Sequence, residues 1–186
     1  MPFEFAPQAL DGLVLVRPRV FEDDRGRFLE TYQQADFAAA GLGAVFVQDN
    51  ASVSRRGVLR GIHYQLPPHA QAKLVGVAYG AIWVVGVDLR QDAPSFGRWQ
   101  GVTLDAEDPA LLYLPPGFGH GFVVTSDTAR VHYKVSAPYA PAYERGVRWN
   151  DPDLAIDWPV PDIALSPRDA ALPPLAEAEV FPAGSA

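Results

Sequence analysis

The chain contains no cysteine. Disulfides, thiolate nucleophiles and cysteine-ligated zinc are thereby excluded, and a reducing cytoplasm is the expected location. No apolar run is long enough to span a bilayer as a helix, so no membrane partner is expected. The opening MPFEFAPQAL lacks a basic stretch followed by an apolar one, and no secretory signal is expected there. Positive charge is also scarce: 15 lysines and arginines stand against 22 acids, a formal net charge of −7. Without a basic run or face, no nucleic-acid partner is expected. Arg25, Arg60, Arg90, Arg145 and Arg168 stand singly among acids or apolar residues. Such arginines are solvated surface unless several converge, in which case they suit a small anionic ligand such as a phosphate ester.

Proline and glycine are plentiful, 18 and 16 residues, and cut the chain into short pieces. Short pieces favour strands over long helices. LVLVRPRVF (13–21) reads as one strand, and KLVGVAYGAIWVVGVDL (73–89) as two strands joined at Tyr79-Gly80. WQGVTL (99–104), ALLYLP (110–115), HGFVVTS (120–126) and ARVHYKVS (129–136) follow at close spacing. FVQDNASVS (46–54) alternates, with Gln48, Asn50 and Ser52 on one face and Val47, Ala51 and Val53 on the other. Only QQADFAAAGL (33–42) makes a convincing helix, with a second short one near 167–171. The expectation is a mainly-β antiparallel sandwich or barrel, one domain over 1–186, large enough to bury roughly 70% of its unfolded surface.

Several polar side chains fall on apolar strands. In ARVHYKVS, Tyr133 shares a face with Val131 and Val135, while Arg130, His132 and Lys134 share the other. Tyr133 is then a core tyrosine or a proton donor inside a barrel. Lys73 shares a face with Val75 and Val77, so it either snorkels from the strand end or sits buried beside a developing negative charge. In LPPGFGHGF, the spacing Pro115-x-Gly117-x-x-His120 resembles the second signature of the cupin superfamily. Metal-binding cupins add a His-x-His pair and a glutamate from an earlier strand. Here that strand offers only His63 in GIHYQ, and the chain has only four histidines, His63, His69, His120 and His132. Too few converge for a three- or four-ligand site, so no metal is expected.

His63 remains as a candidate base, since imidazole titrates near neutral pH, at about 6.5. It would need an orienting carboxylate, and Asp169 in SPRDAALP is one candidate, unless it merely serves a local turn. Strict alternation puts Arg60 and His63 on opposite faces. Both can line one pocket only if Gly61 breaks the pleat.

Taken together, DDRGRFLETY, FVQDNASVS, GVLRGIHYQ, AKLV, VVGVDLR, SFGRWQGVTL, LPPGFGHGF, YKVS, ERGVRWNDPDLAIDWP and SPRDAALP resemble the dTDP-4-dehydrorhamnose 3,5-epimerase family, in order and spacing, from about residue 13 to 173. The resemblance implies a cupin-type jelly-roll barrel (a double-stranded β-helix) with a few short helices, free of metal and cofactor and forming a homodimer. The implied substrate is a dTDP-linked 4-keto-6-deoxyhexose. It also implies roles: His63 as base with Asp169 as partner, Tyr133 as acid, and Lys73 as stabiliser of an enolate oxygen. Arg25, Glu30, Gln48, Asn50, Arg60, His120, Glu144 and Arg168 fall on its substrate-binding positions. The family often has paired tyrosines after the YK motif, whereas this chain reads YKVSAPYAP, with Pro138 before a single Tyr139. Tyr139 is then the ring that stacks near the sugar. Inversion of both C3 and C5, inversion of one centre alone, a ketoisomerase and a non-catalytic sugar-nucleotide binder remain the alternatives.

Overall fold

Proline and glycine place the strand boundaries. The computed structural model describes residues 2–184, so the outermost positions of the expected domain, 1, 185 and 186, lie outside the described residues. In chain order the strands are β1 (Phe3–Pro7), β2 (Val14–Pro18), β3 (Val20–Asp23), β4 (Gly26–Leu29), β5 (Gln48–Arg55), β6 (Leu59–Gln65) and β7 (Lys73–Tyr79). There follow β8 (Ala81–Asp88), β9 (Trp99–Asp105), β10 (Leu111–Leu114), β11 (Phe118–Val124), β12 (Thr128–Val135) and β13 (Glu144–Gly146). Helices α1 (Gln34–Ala39) and α2 (Pro167–Ala170) fall inside the two segments expected to be helical. The strand expected over 13–21 is divided. Pro18 has no N–H to continue the ladder, Arg19 donates instead to the Pro2 carbonyl at 2.7 Å, and β3 leaves the sheet.

Two antiparallel sheets face each other, in the orders β1-β2-β10-β7-β12-β5 and β13-β6-β11-β8-β9. From β5 to β8, and again from β10 to β12, each strand joins the sheet opposite its predecessor. That alternation is the wiring of a jelly roll, and it matches the cupin-type fold expected from the sequence. Tyr79-Gly80 is accordingly a corner between sheets. Gly80 has φ +73°, and a Cβ there would stand 2.1 Å from the Thr128 carbonyl oxygen.

Strand alternation then sorts the apolar residues into three layers. Val75, Ile82, Val84, Leu112, Phe122 and Val131 pack between the sheets. On the outside of the six-stranded sheet, Phe37 of α1 packs on Phe3 and Phe5, with ring centroids 5.3 and 5.2 Å away. On the outside of the five-stranded sheet, Val85 and Val87 are covered by Leu154, Val180 and Phe181 from the chain after β13. Both sheets are thus apolar on both faces over most of their width. The exception is β5, where Gln48, Asn50 and Ser52 line the interior while Val47 and Val53 are 56% and 60% exposed. The polar strand opens a cavity at that end of the sandwich. Among the described residues no helix is long and apolar enough to cross a membrane.

Beside the cavity, β6 is irregular. His63 lies opposite His120 of β11, but Arg60 lies opposite Phe122, so three steps on β6 match two on β11. The extra residue is accommodated at Gly61, with φ +124°. A Cβ there would stand 2.5 Å from Gly121 Cα and 2.7 Å from the His120 carbonyl oxygen. The bulge turns Arg60 and His63 to the same side, as a shared pocket requires. Gly61→Ala is therefore expected to cost more than roughly 2 kcal/mol, since positive φ and a backbone clash combine. Urea unfolding measures it; a loss below about 0.5 kcal/mol would show that the strand can relax.

Candidate active site

The cavity has a volume of about 520 Å³. From the six-stranded sheet it receives Gln48, Asn50 and Ser52 of β5, Lys73 of β7 and Tyr133 of β12. From the five-stranded sheet it receives Arg60, His63 and Gln65 of β6, His120 and Phe122 of β11, and Glu144 of β13. Tyr139 from the loop after β12, and Ser166, Arg168 and Asp169 at α2, close the remaining side.

His63 Nε2 and Asp169 Oδ1 are 2.7 Å apart, across 106 residues of sequence. Asp169 is 4% exposed and is held by its helix. Ser166 caps α2 by accepting from the Asp169 N–H at 3.0 Å, and Pro167 occupies the first turn. Burial acts to raise the Asp169 carboxyl. The hydrogen bond and charge of His63, with Ser166 and the Gly61 N–H, nonetheless hold it below the usual aspartate value. An ionised Asp169 fixes the proton on His63 Nε2 and leaves Nδ1 as the basic nitrogen.

Lys73 is 7% exposed, and its Nζ donates to the His63 carbonyl oxygen at 3.3 Å. Desolvation pulls its ammonium down to about 8, with Glu144 opposing. Burial raises the Tyr133 phenol above its ordinary value; Arg60 works against that rise and Glu144 adds to it. His120 is held well below the usual histidine value by burial, then by the charges of Lys73 and His63, so its ring is neutral. Its Nε2 is buried without a hydrogen-bond partner, as is Ser52 Oγ. Two unsatisfied polar atoms in one cavity mark places where a polar ligand would bond.

Nearer the opening, the Tyr139 hydroxyl donates to Glu144 Oε2 at 2.6 Å, and Arg168 pairs with the same carboxylate. Burial acts to raise Glu144, but Tyr139 and Arg168 keep it ionised. Gln48 accepts from the Tyr139 N–H at 3.0 Å and donates to Asn50 Oδ1 at 2.9 Å. Gln65 fastens the same loop by donating to the Pro138 carbonyl and accepting from the Ala140 N–H.

Eleven of the residues nominated from sequence therefore meet in one cavity: His63, Lys73, Tyr133, Asp169, Gln48, Asn50, Arg60, His120, Tyr139, Glu144 and Arg168. Arg25 and Glu30 do not line it. Strands β3 and β4 pair only with each other, as a separate hairpin, and Arg25 spends its guanidinium on the neighbouring Asp23. His69 and His132 are also outside the lining; His69 packs on Tyr143 with ring centroids 4.5 Å apart. Sequence reasoning missed Gln65, Ser52 and Ser166 as site residues. Ser52 shares the face of Gln48 and Asn50, and Ser-Pro-Arg-Asp carries the pattern of a helix cap, so both had a signal. Among the described residues no group of three or more His, Asp or Glu side chains could hold a metal ion.

Comparison with known proteins agrees with this fold. The family model described as dTDP-4-dehydrorhamnose 3,5-epimerase matches residues 7–177. A Pseudomonas aeruginosa protein named dTDP-4-dehydrorhamnose 3,5-epimerase is 48% identical over 94% of this chain and 97% of its own. A Streptomyces niveus protein named dTDP-4-dehydrorhamnose 3-epimerase is 45% identical over 92% of this chain and 84% of its own. The crystal structure of a Legionella pneumophila dTDP-6-deoxy-D-glucose-3,5-epimerase in complex with dTDP-4-keto-L-rhamnose superposes with a TM-score of 0.91, at 41% identity over 94% of each chain. The chain belongs to the dTDP-4-dehydrorhamnose 3,5-epimerase family.

Proposed function

We propose that this protein, acting as one cupin-like domain, inverts C3 and C5 of dTDP-4-dehydro-6-deoxy-D-glucose to give dTDP-4-dehydro-L-rhamnose. One observation carries the reading: a carboxylate-oriented histidine and a half-buried tyrosine enter one cavity from opposite sheets, beside a desolvated lysine. Inversion needs a base on one face of the sugar and an acid on the other. The two sheets supply them.

The 4-keto group acidifies the hydrogens at C3 and C5. His63 Nδ1 takes the C3 proton; the C–H electron pair becomes the C3–C4 double bond, and the carbonyl pair moves onto oxygen. Lys73 donates to that oxyanion in a site with little water to compete. Tyr133 then gives its hydroxyl proton to the opposite face of C3, the enolate pair forms the new C–H bond, and the C4 carbonyl is restored. Proton exchange with solvent returns the imidazolium and phenolate to their starting states, and the same sequence at C5 completes the change. Arg60 and Arg168 suit the diphosphate, and Gln48, Asn50, His120, Tyr139 and Glu144 suit the sugar and base.

A homodimer fits the same reading. The β3–β4 hairpin stands apart from the sandwich with Phe21 47% and Phe28 66% exposed, with Arg25 in its turn and Glu30 following its base. These two residues would reach a sugar nucleotide only in the cavity of a second copy. The alternative, inversion at C3 alone, is favoured by the 3-epimerase relative and by the single Tyr139 after Pro138.

Incubation with dTDP-4-dehydro-6-deoxy-D-glucose in heavy water, read by NMR, should place deuterium at C3 and C5. Label at one carbon supports the single-centre alternative, and no label defeats the epimerase reading. His63→Asn is expected to abolish exchange while leaving nucleotide affinity within about threefold.

Lys73 gives a second prediction. The ammonium must be charged to hold the oxyanion, so kcat should fall as pH rises through about 8. Lys73→Met should lose at least ~10³ in kcat. Its stability should change in the opposite direction. A depressed lysine pKa means that folding is penalised while the group is charged, by up to about 3 kcal/mol below pH 8, and that the penalty fades toward pH 10.5. Urea unfolding should therefore show the variant more stable at pH 7, with the difference shrinking by pH 10. Equal stabilities at pH 7 would contradict a dry ammonium.

A further inference from the structure

Gln48, Gln65 and Gln71 line the cavity from three separate stretches of chain, and all three spend amide groups on the backbone of residues 137–140. Gln71 Nε2 donates to the Ala137 carbonyl at 2.7 Å. Gln65 Nε2 donates to the Pro138 carbonyl at 3.2 Å and to the His69 carbonyl at 2.8 Å, while its Oε1 accepts from the Ala140 N–H at 2.8 Å. Gln48 Oε1 accepts from the Tyr139 N–H at 3.0 Å. Among the described residues the only backbone partner of these four is Tyr143, whose N–H reaches the Ala140 carbonyl at 2.9 Å. The loop belongs to no sheet and Pro138 has no N–H, so glutamine side chains stand in for a ladder.

What this clamp holds is Tyr139. The residue is 52% exposed, so packing does little to place its ring, and its hydroxyl donates to Glu144 Oε2 at 2.6 Å. Gln65 reaches both ends of that contact. Its side chain holds the Tyr139 loop, and its backbone lies opposite Glu144 in the pairing of β6 with β13. Gln65 is itself 3% exposed with both amide hydrogens engaged, which leaves it no donor for a ligand. Truncating it would strip partners from three backbone groups, and a loosened loop would have to be ordered each time a ligand entered.

We propose that Gln65 is a positioning residue: with Gln71 it holds the 137–140 backbone so that Tyr139 and Glu144 are in place before the sugar nucleotide enters, and it thereby sets affinity rather than the rate of proton transfer. The assignment rests on the proposed epimerase reaction, in which Tyr139 and Glu144 contact the ligand while His63 and Tyr133 move the protons. The two proton carriers are held by other means. Asp169 fixes His63, and Tyr133 sits on β12 between β5 and β7; neither is bonded to Gln65 among the described residues. Contacts made equally before and during the reaction change KM and leave kcat alone.

In Gln65→Ala, the KM for dTDP-4-dehydro-6-deoxy-D-glucose should rise at least ~10-fold, with kcat within about threefold of wild type. In a Tyr139→Ala background the same substitution should raise KM less than about twofold, because the residue it positions is gone. A simple loss of folded protein does neither, since it lowers the apparent kcat and spares KM. Gln71→Ala, which frees only the Ala137 carbonyl, should repeat the pattern at about threefold and takes the place of Gln65→Ala if that variant does not fold. A KM unchanged in the folded variant, or raised equally with and without Tyr139, overturns the proposal.

Amide hydrogen exchange needs no substrate and so stands whether or not the epimerase reading does. The Tyr139 N–H keeps its own partner, Gln48, in either variant. It should nonetheless exchange at least ~10-fold faster in Gln65→Ala than in wild type, while the Val84 N–H in the core of β8 keeps its protection. If wild type neither exchanges substrate hydrogens nor inverts substrate, the epimerase reading fails, and the Tyr139 N–H still judges the clamp. Equal Tyr139 exchange in the two proteins, or Val84 loosened by the same factor, overturns it.

Discussion

Two side chains three residues apart on one strand have to face one cavity, and a regular strand forbids it. Everything in the site follows from how β6 escapes that rule at Gly61. The extra residue turns His63 and Arg60 inward together, and the close approach to β11 leaves no room for a Cβ at Gly61, which would stand 2.5 Å from Gly121 Cα. The same distortion points the Gly61 N–H at Asp169. One backbone irregularity therefore aims His63, aims a cation, and helps keep the Asp169 carboxylate charged.

The charges around that strand are graded rather than uniform. An acidic chain gathers Lys73, Arg60 and Arg168 at one cavity, but only Arg168 has a carboxylate of its own there, Glu144. Lys73 has a carbonyl for a partner and is depressed by desolvation. In the proposed reaction an oxyanion forming beside it would relieve that penalty, so the charge would be stabilised where the reaction develops it rather than in the resting protein. His120 stays neutral for the same reason of burial, and offers a nitrogen without adding a further cation.

Much of this was legible in the sequence because strand alternation has a period of two. It correctly grouped Tyr133 with Val131 and Val135, Lys73 with the valines of β7, and the polar side chains of β5 with one another. It also identified Gly61 as the residue that had to give way. Alternation says which residues share a face, however, and not which face is inside. On β5 the interior took the amides and left Val53, with Val47 just before the strand, in solvent, the reverse of the usual order. Sheet membership was equally hidden, because consecutive strands here alternate between sheets, and the glycines at the corners, Gly57, Gly80 and Gly117, mark a turn without saying which sheet the next strand joins. The family resemblance nominated Arg25 and Glu30, but a hairpin that pairs only with itself does not carry them to the cavity of its own chain.

The segment after β13 explains how a barrel with a polar wall and a desolvated lysine remains folded. It is rich in proline and has little regular structure, yet Leu154, Val180 and Phe181 cover the outer face of the five-stranded sheet, and Trp158 packs edge-on against Trp83 at 5.2 Å. Asp151, 1% exposed, accepts from the N–H groups of Asp153, Leu154 and Leu175 and so ties the segment to itself. Between these anchors lies α2, which carries Arg168 and Asp169 to the cavity. Apolar burial on the outside of the sheet thus compensates for polarity on its inside, and the same stretch of chain that supplies the burial also orients His63. Stability and the geometry of the site are coupled through one segment, with the Asp169–His63 hydrogen bond as the point of contact.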